Sequence, residues 1–190
     1  MLEEIFQVGE LRDRLIAAGI REIEIHGITD FSLRRVANAC GVSCAAPYKH
    51  FKNKDGLILE IFHFINRQWA LLEQQIVELF EYDTRRLLVE ICMANIRFRL
   101  GNPHFRAVLS LDTRDMDEEQ RRVIGETLSR VTVFTQRLCE ERGVPSAASQ
   151  KAYILRSLTY GAALMIANGE LENTQQTLDM IRATLEWELA

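Results

Sequence analysis

The chain has 190 residues, with 27 acidic and 23 basic side chains and a formal net charge of -4. Hydrophobic residues make up 47%, enough apolar surface to bury a core, which excludes a disordered chain; 10 glycines and 3 prolines exclude collagen-like or low-complexity material. The net acidity argues against a protein that coats nucleic acid by bulk charge and turns attention to local basic segments.

The start, Met1-Leu2-Glu3-Glu4, carries acid where a secretory signal carries base, and no long apolar run follows. The richest apolar stretch, Leu158 to Ala167, is shorter than the roughly 18 residues of a membrane span. Four cysteines, Cys40, Cys44, Cys92 and Cys139, sit in helix-like patterns and read as free thiols. A soluble cytoplasmic protein that spans no membrane is expected.

Sustained 3.6-residue periodicity and the absence of period-2 alternation predict an all-α protein of about nine helices. The first spans Glu3 to Ile25 and stops at His26-Gly27. Ser32 caps a short second helix over Leu33 to Cys40, which Gly41 breaks. Ser43 caps a third reaching Phe51, with Pro47 near a first turn where a missing N–H costs least. Asn53 opens a long fourth helix from Lys54 toward Tyr82. A fifth covers Thr84 to Leu100 and ends at Gly101-Asn102-Pro103. A short sixth runs from His104 to Leu111, a seventh from Asp117 to Arg142, an eighth from Ala147 to Asn168, and a ninth from the Asn173 cap to Ala190. The layout is a compact three-helix head over residues 1–52 followed by a helical bundle over residues 53–190.

Two short helices separated by a glycine turn, from Ser32 to Phe51, make a helix-turn-helix pattern. Leu33, Val36, Ala37, Val42 and Phe51 are spaced to form one small core. Between Phe31 and Lys54 there are five basic residues (Arg34, Arg35, Lys49, Lys52 and Lys54) and no Asp or Glu. Duplex DNA attracts such a patch and releases counterions on contact.

These residues carry a resemblance. Leu15-Ile16-Ala17-Ala18, His26-Gly27, Ser32-Leu33-Arg34-Arg35-Val36-Ala37, Gly41-Val42-Ser43 and Tyr48-Lys49-His50-Phe51-Lys52-Asn53-Lys54-Asp55-Gly56-Leu57 together resemble the DNA-binding head of the TetR family of transcriptional repressors. The resemblance covers roughly residues 12–58, and its most specific part is the Tyr-x-His-Phe-x-Asn-Lys-Asp run. It implies that the third helix enters the major groove, with Cys44, Ala45, Ala46 and Lys49 facing bases. Tyr48 and His50 would bind phosphates, Lys54 and the free N–H groups opening the fourth helix would hold another, and Arg34 or Arg35 would reach the adjacent backbone; Ser43 completes the DNA-facing set. Glu3, Glu4 and Glu10 stand where relatives commonly carry basic residues, so no N-terminal arm contact is expected. With only Lys49 as a strong base donor, more discrimination is left to DNA shape.

For residues 53–190 the resemblance implies ligand binding and dimerisation. The ligand candidates are Trp69 on the fourth helix, Cys92, Asn95 and Phe98 on the fifth, then Phe105, Phe134 and Tyr160. Asn95 is a lone amide on a largely apolar face that either orients a ligand or binds a neighbouring backbone. The candidate homodimer interface is Leu158, Gly161, Ala162 and Met165 on the eighth helix with Ile181 and Leu185 on the ninth; both stripes could instead face the protomer's own core. The expected function is a ligand-responsive regulator, expected to be a repressor, that binds a pseudo-palindromic operator as a homodimer and is released by an unidentified small molecule.

The rival reading is a metal-binding bundle or enzyme centred on Glu60 and His63, whose Glu-x-x-His spacing suits di-iron bundles. No second such motif accompanies it. Cys40 and Cys44 lack a matching second pair of ligands. No phosphate loop, nucleophile elbow or His-Glu-x-x-His run is present. No cofactor, no metal and no enzymatic activity are expected.

Overall fold

The computed structural model describes residues 9–102, 118, 122 and 128–190, and among these every regular element is helical. Seven α-helices are seen: α1 (Leu11–His26), α2 (Leu33–Ala39), α3 (Lys54–Leu79), α4 (Thr84–Leu100), α5 (Ser129–Glu141), α6 (Ala148–Ala167) and α7 (Gln175–Glu188). Single 3-10 turns occupy Pro47–Lys49 and Pro145–Ala147. No helix among the described residues is long and apolar enough to cross a membrane. The expected helix over His104–Leu111 lies outside the described residues, as do Glu3 and Glu4.

The described residues fall into two compact units, 9–66 with 118 and 122, and 67–102 with 128–190, and one division falls within α3 between Asn66 and Arg67. In the first unit α1 buries Leu15, Ile16, Ile20 and Ile23 with Phe31, Val36 and Ala37 and with Leu57, Ile61 and Phe62 of α3. A methyl on Gly19 would stand 2.7 Å from Ile61 Cδ1, so glycine sets how closely α1 and α3 approach. In the second unit one apolar cluster joins Trp69 and Ile76 to Leu87, Leu88, Ile91, Cys92 and Ile96 of α4, Val131 and Leu138 of α5, Leu155 and Ala163 of α6, and Ile181 and Leu185 of α7.

Caps fix the helix starts. Ser32 Oγ accepts from Arg35 N, Asn53 Oδ1 from Gly56 N at 2.9 Å, Asp83 Oδ1 from Arg86 N at 2.9 Å, and Thr174 Oγ1 from Thr177 N at 3.2 Å. The end of α7 is gripped by cations, as its dipole favours: Arg85 and Arg142 donate to the Leu189 carbonyl at 3.0 and 2.8 Å, and Lys151 to that of Glu188 at 2.7 Å.

The expected third helix contracts to the turn Pro47–Lys49. Counted from a cap at Ser43, residue 47 is the first whose N–H would close an i→i−4 bond, and Pro47 has no N–H. Ser43 O is instead bonded three residues on, by Ala46 N at 2.9 Å. The same short spacing continues from Ala46 O to Lys49 N at 3.1 Å and from Pro47 O to His50 N at 3.0 Å. The proline is therefore not in the costless part of the first turn, and it tightens the segment.

Candidate DNA-binding surface

α1 and α2 set the platform. Glu22 of α1, only 7% exposed, accepts from Ser32 N at 3.1 Å and Arg35 Nε at 2.7 Å, with the Arg35 Nη2 also on its carboxylate. Arg35 Nη2 donates as well to the Asp30 carbonyl, and Glu22 is the main cause that raises the Arg35 pKa. Arg14 Nη2 reaches the Cys40 carbonyl at 2.8 Å, pinning the end of α2 to α1. Gly41 then turns the chain at φ +68°, a conformation that a Cβ disfavours.

Beyond that turn the chain presents its side chains outward. Ser43, Cys44, Ala45, Tyr48, Lys49 and His50 are exposed and Ala46 is half-buried. Tyr48 is 60% exposed, a large aromatic that the head does not use for packing. Pro47 and Phe51 point the other way and are buried; the His50 ring sits 6.2 Å from that of Phe51. The Arg12 guanidinium lies over the Phe51 ring, 5.7 Å from its centroid, and pairs with Glu60.

The residues expected to face DNA divide into two groups. Ser43, Cys44, Ala45, Tyr48, Lys49 and His50 of the turn and Arg34 on α2 are all exposed. Arg35 and Lys54 are engaged: Arg35 by Glu22 and Asp30, Lys54 Nζ by the carbonyls of Ile28 at 2.9 Å and Thr29 at 3.3 Å. Both hold the loop before α2 in place. Of the rival centre, Glu60 is taken by Arg12 and His63 is half-buried. Among the described residues no three His, Cys, Asp or Glu side chains converge on a metal-sized site. All four cysteines are free; burial raises the pKa of Cys40 and takes that of Cys92 to about 11.

The second unit gathers the other candidates. Trp69 is buried with its ring 5.4 Å from that of Phe98. Cys92 and Asn95 are fully buried, and Asn95 Oδ1 accepts from Arg99 Nε at 2.6 Å, so the amide meets a side chain one turn on. The buried Arg99 guanidinium stacks 4.3 Å from the Tyr160 ring; desolvation pulls its pKa down and Tyr160 opposes this. Phe134 is half-buried under Arg130, 5.5 Å away, and Phe105 lies outside the described residues.

One residue here has no place in the expected set. Glu73 of α3 is 5% exposed, and burial pushes its pKa up to about 7 against Arg130, whose Nη1 is 3.7 Å from Oε2. The nearby Trp69 indole also lowers it slightly, yet neither Glu73 Oε1 nor Trp69 Nε1 closes a hydrogen bond of acceptable geometry. The visible signal was an acid four residues after Trp69 on the expected fourth helix.

Of the expected interface, Met165 is 40% exposed and Leu158, Gly161 and Ala162 are half-buried. Ile181 and Leu185 are buried in the protomer's own cluster, at 7% and 0% exposure, because α7 turns that stripe against α4 and α6. The exposed residues of α7 include Met180, Thr184 and Trp187, and those of α6 include Tyr153, Ser157, Leu164 and Met165.

Known proteins place this architecture. Residues 15–61 match the family model described as bacterial regulatory proteins, tetR family. The chain is 21% identical over 165 residues to the "Probable acrEF/envCD operon repressor" of Escherichia coli strain K12, covering 87% of this chain and 74% of that one. Its fold is similar to that of the TetR family transcriptional regulator PfmR from Thermus thermophilus, with a TM-score of 0.70, 19% identity and coverage of 96% and 97% of the two chains. It is also similar to the transcriptional regulator FadR from Bacillus subtilis in complex with stearoyl-CoA, with a TM-score of 0.70, 16% identity and coverage of 93% and 97%. The head thus matches the tetR family model over residues 15–61, and the described helices follow the fold of solved TetR family regulators.

Proposed function

We propose that the chain is a homodimeric, cytoplasmic repressor that binds a pseudo-palindromic operator and is released by a small molecule held in residues 53–190, without catalysing a reaction. Residues 1–52 read DNA. The observation that carries this is the turn from Ser43 to His50, where Tyr48, Lys49 and His50 stand exposed one after another beyond the Gly41 turn. Lys49 donates to guanine, Ala45 and Ala46 pack on thymine methyls beside Cys44, and Tyr48, His50, Ser43 and Arg34 hold phosphates. Arg35 and Lys54 contribute by fixing the loop before α2 and add field rather than a free hand.

One head covers too little DNA for tight specific binding, so two are needed. The outward faces of α6 and α7 suit a second copy. Tyr153, Ser157, Gly161, Leu164 and Met165 run along one side of α6 with Met180 and Trp187 of α7 also exposed, and the space above Gly161 is open to an approaching helix. Release by an effector follows as a population shift: a molecule that prefers a dimer with the wrong head spacing weakens DNA binding by its differential affinity for the two arrangements. Moving the heads off the roughly 34 Å repeat of the major groove suffices. A fold relative that holds stearoyl-CoA supports an apolar effector here.

Selection of bound duplexes from random DNA, read together with the mass of the protein in solution, tests this. Two half-sites related by a two-fold axis, bound by a dimer, are the expected result. A single half-site bound by a monomer, or no salt-sensitive retention of any duplex, overturns the reading.

A further inference from the structure

Two polar atoms in the second unit are buried and unbonded, and they lie one helical turn apart on α3. Trp69 Nε1 and Glu73 Oε1 lie near each other, yet no hydrogen bond of acceptable geometry joins them or reaches either atom from elsewhere. Both side chains are at least nine-tenths buried, at 2% and 5% exposure. Buried polar groups are normally bonded, so such a pair marks a place where something else completes the bonding. Around it stand apolar rings: Phe98 against Trp69, and Phe134 beneath the Arg130 that faces Glu73.

The polarity of the two atoms selects the missing group. An ammonium could donate to Glu73 but offers nothing to the indole N–H, since it has no acceptor. Its charge is also redundant, because Arg130 Nη1 already lies 3.7 Å from Glu73 Oε2. A carboxylate could accept from Trp69 but would meet a second carboxylate at Glu73. A hydroxyl satisfies both atoms through one oxygen, accepting from the indole and donating to the carboxylate. Resting on the effector reading above, we propose that Trp69 and Glu73 together receive the hydroxyl of a neutral, otherwise apolar effector, an alcohol or phenol whose hydrocarbon part lies among the aromatic rings.

A matched set on one skeleton tests it: 2-naphthol, naphthalene, 2-naphthoate and 2-naphthylmethylammonium, titrated by calorimetry into the full chain. Two hydrogen bonds made in a dry site predict that 2-naphthol binds about tenfold tighter than naphthalene. In Glu73→Leu that preference should fall to about threefold or less while naphthalene still binds. Trp69→Phe keeps an aromatic ring and removes only the N–H, and should lose part of the preference, about threefold, independently of how Glu73→Leu folds. Equal binding of all four, tightest binding of the ammonium, full preference retained in Glu73→Leu, or binding of none overturns the proposal. Retention of the selected duplex with and without 2-naphthol separates it from the effector reading. Selective 2-naphthol binding that leaves retention unchanged keeps the hydroxyl site and removes release by that molecule.

Discussion

Glu22 in the head and Glu73 in the second unit are buried to nearly the same degree, at 7% and 5% exposure, and their surroundings differ completely. Glu22 is met by a backbone N–H and a two-pronged arginine; Glu73 has one distant cation and an oxygen bonded to nothing. Burial alone therefore says little about what a charged side chain does. The first carboxylate ties the loop before α2 to α1. The second is an unfilled demand for a donor inside a packed cluster, which is where the proposed effector hydroxyl would enter.

The largest expected effect comes from removing the unfilled one. Burial raises the Glu73 pKa from 4.5 to about 7, so the folded state holds this proton more tightly than the unfolded chain. Its contribution is fully present below pH 4.5 and is lost as the pH rises through about 7. Glu73→Leu removes that loss and leaves Arg130 40% exposed and able to hydrate. The variant should exceed the parent in stability at pH 8 by about 3 kcal/mol and by much less at pH 5. Urea unfolding at both pH values measures this; an equal gap at the two would mean that Glu73 is not protonated on folding.

The opposite sign is expected in the head. Glu22→Leu deletes the bonds to Ser32 N and Arg35 Nε and should cost about 2 kcal/mol, since bonds to a charged group are the stronger kind. It should also weaken duplex retention, because the loop before α2 loses its tether. A variant as stable as the parent would show that the carboxylate does not organise the head, and the contrast between the two acids would fail.

Neither half of that contrast was readable in the sequence, although the helices that carry it were. The bounds of α4, Thr84 to Leu100, follow from the Asp83 cap and the stop at Gly101, both local signals. The helix-turn-helix was legible for the same reason, since Ser32, Gly41 and the Tyr48-to-Leu57 run act within a few residues. Pro47 was visible too, but its effect depended on counting from Ser43, which turns an expected helix into a 3-10 turn. Tertiary partners were not legible. Nothing local says that Arg35 and Lys54 are spent on Glu22 and on the carbonyls of Ile28 and Thr29. Periodicity shows that Ile181 and Leu185 share a stripe, but not whether it faces a partner copy or the protomer's own core, and it faces the core. Glu73 stood in plain view among apolar neighbours and gained meaning only when its oxygen proved unbonded.

Within the head the tethered and the free residues can be told apart by what they change. Lys49 is exposed and without a tether to the loop, so Lys49→Ala should weaken operator binding by about 1.5 kcal/mol and relax the preference at one base position, leaving unfolding unchanged. Repeating the selection from random DNA with the variant shows whether one position loses its preference; an unaltered profile removes Lys49 from base readout.

Tyr48→Phe should give the smallest effect and the most even one. The ring is 60% exposed, so the hydroxyl supports no packing and the melting temperature should not move. A phosphate carries no sequence information, so a lost hydroxyl–phosphate bond weakens every duplex alike, by about 1 kcal/mol. Binding to the selected operator and to a scrambled duplex at fixed salt should therefore fall by the same factor, about fivefold. A loss confined to the operator would place Tyr48 at a base edge instead of the backbone, and the turn from Ser43 to His50 would then approach the groove in a different orientation from the one that puts Lys49 on the bases.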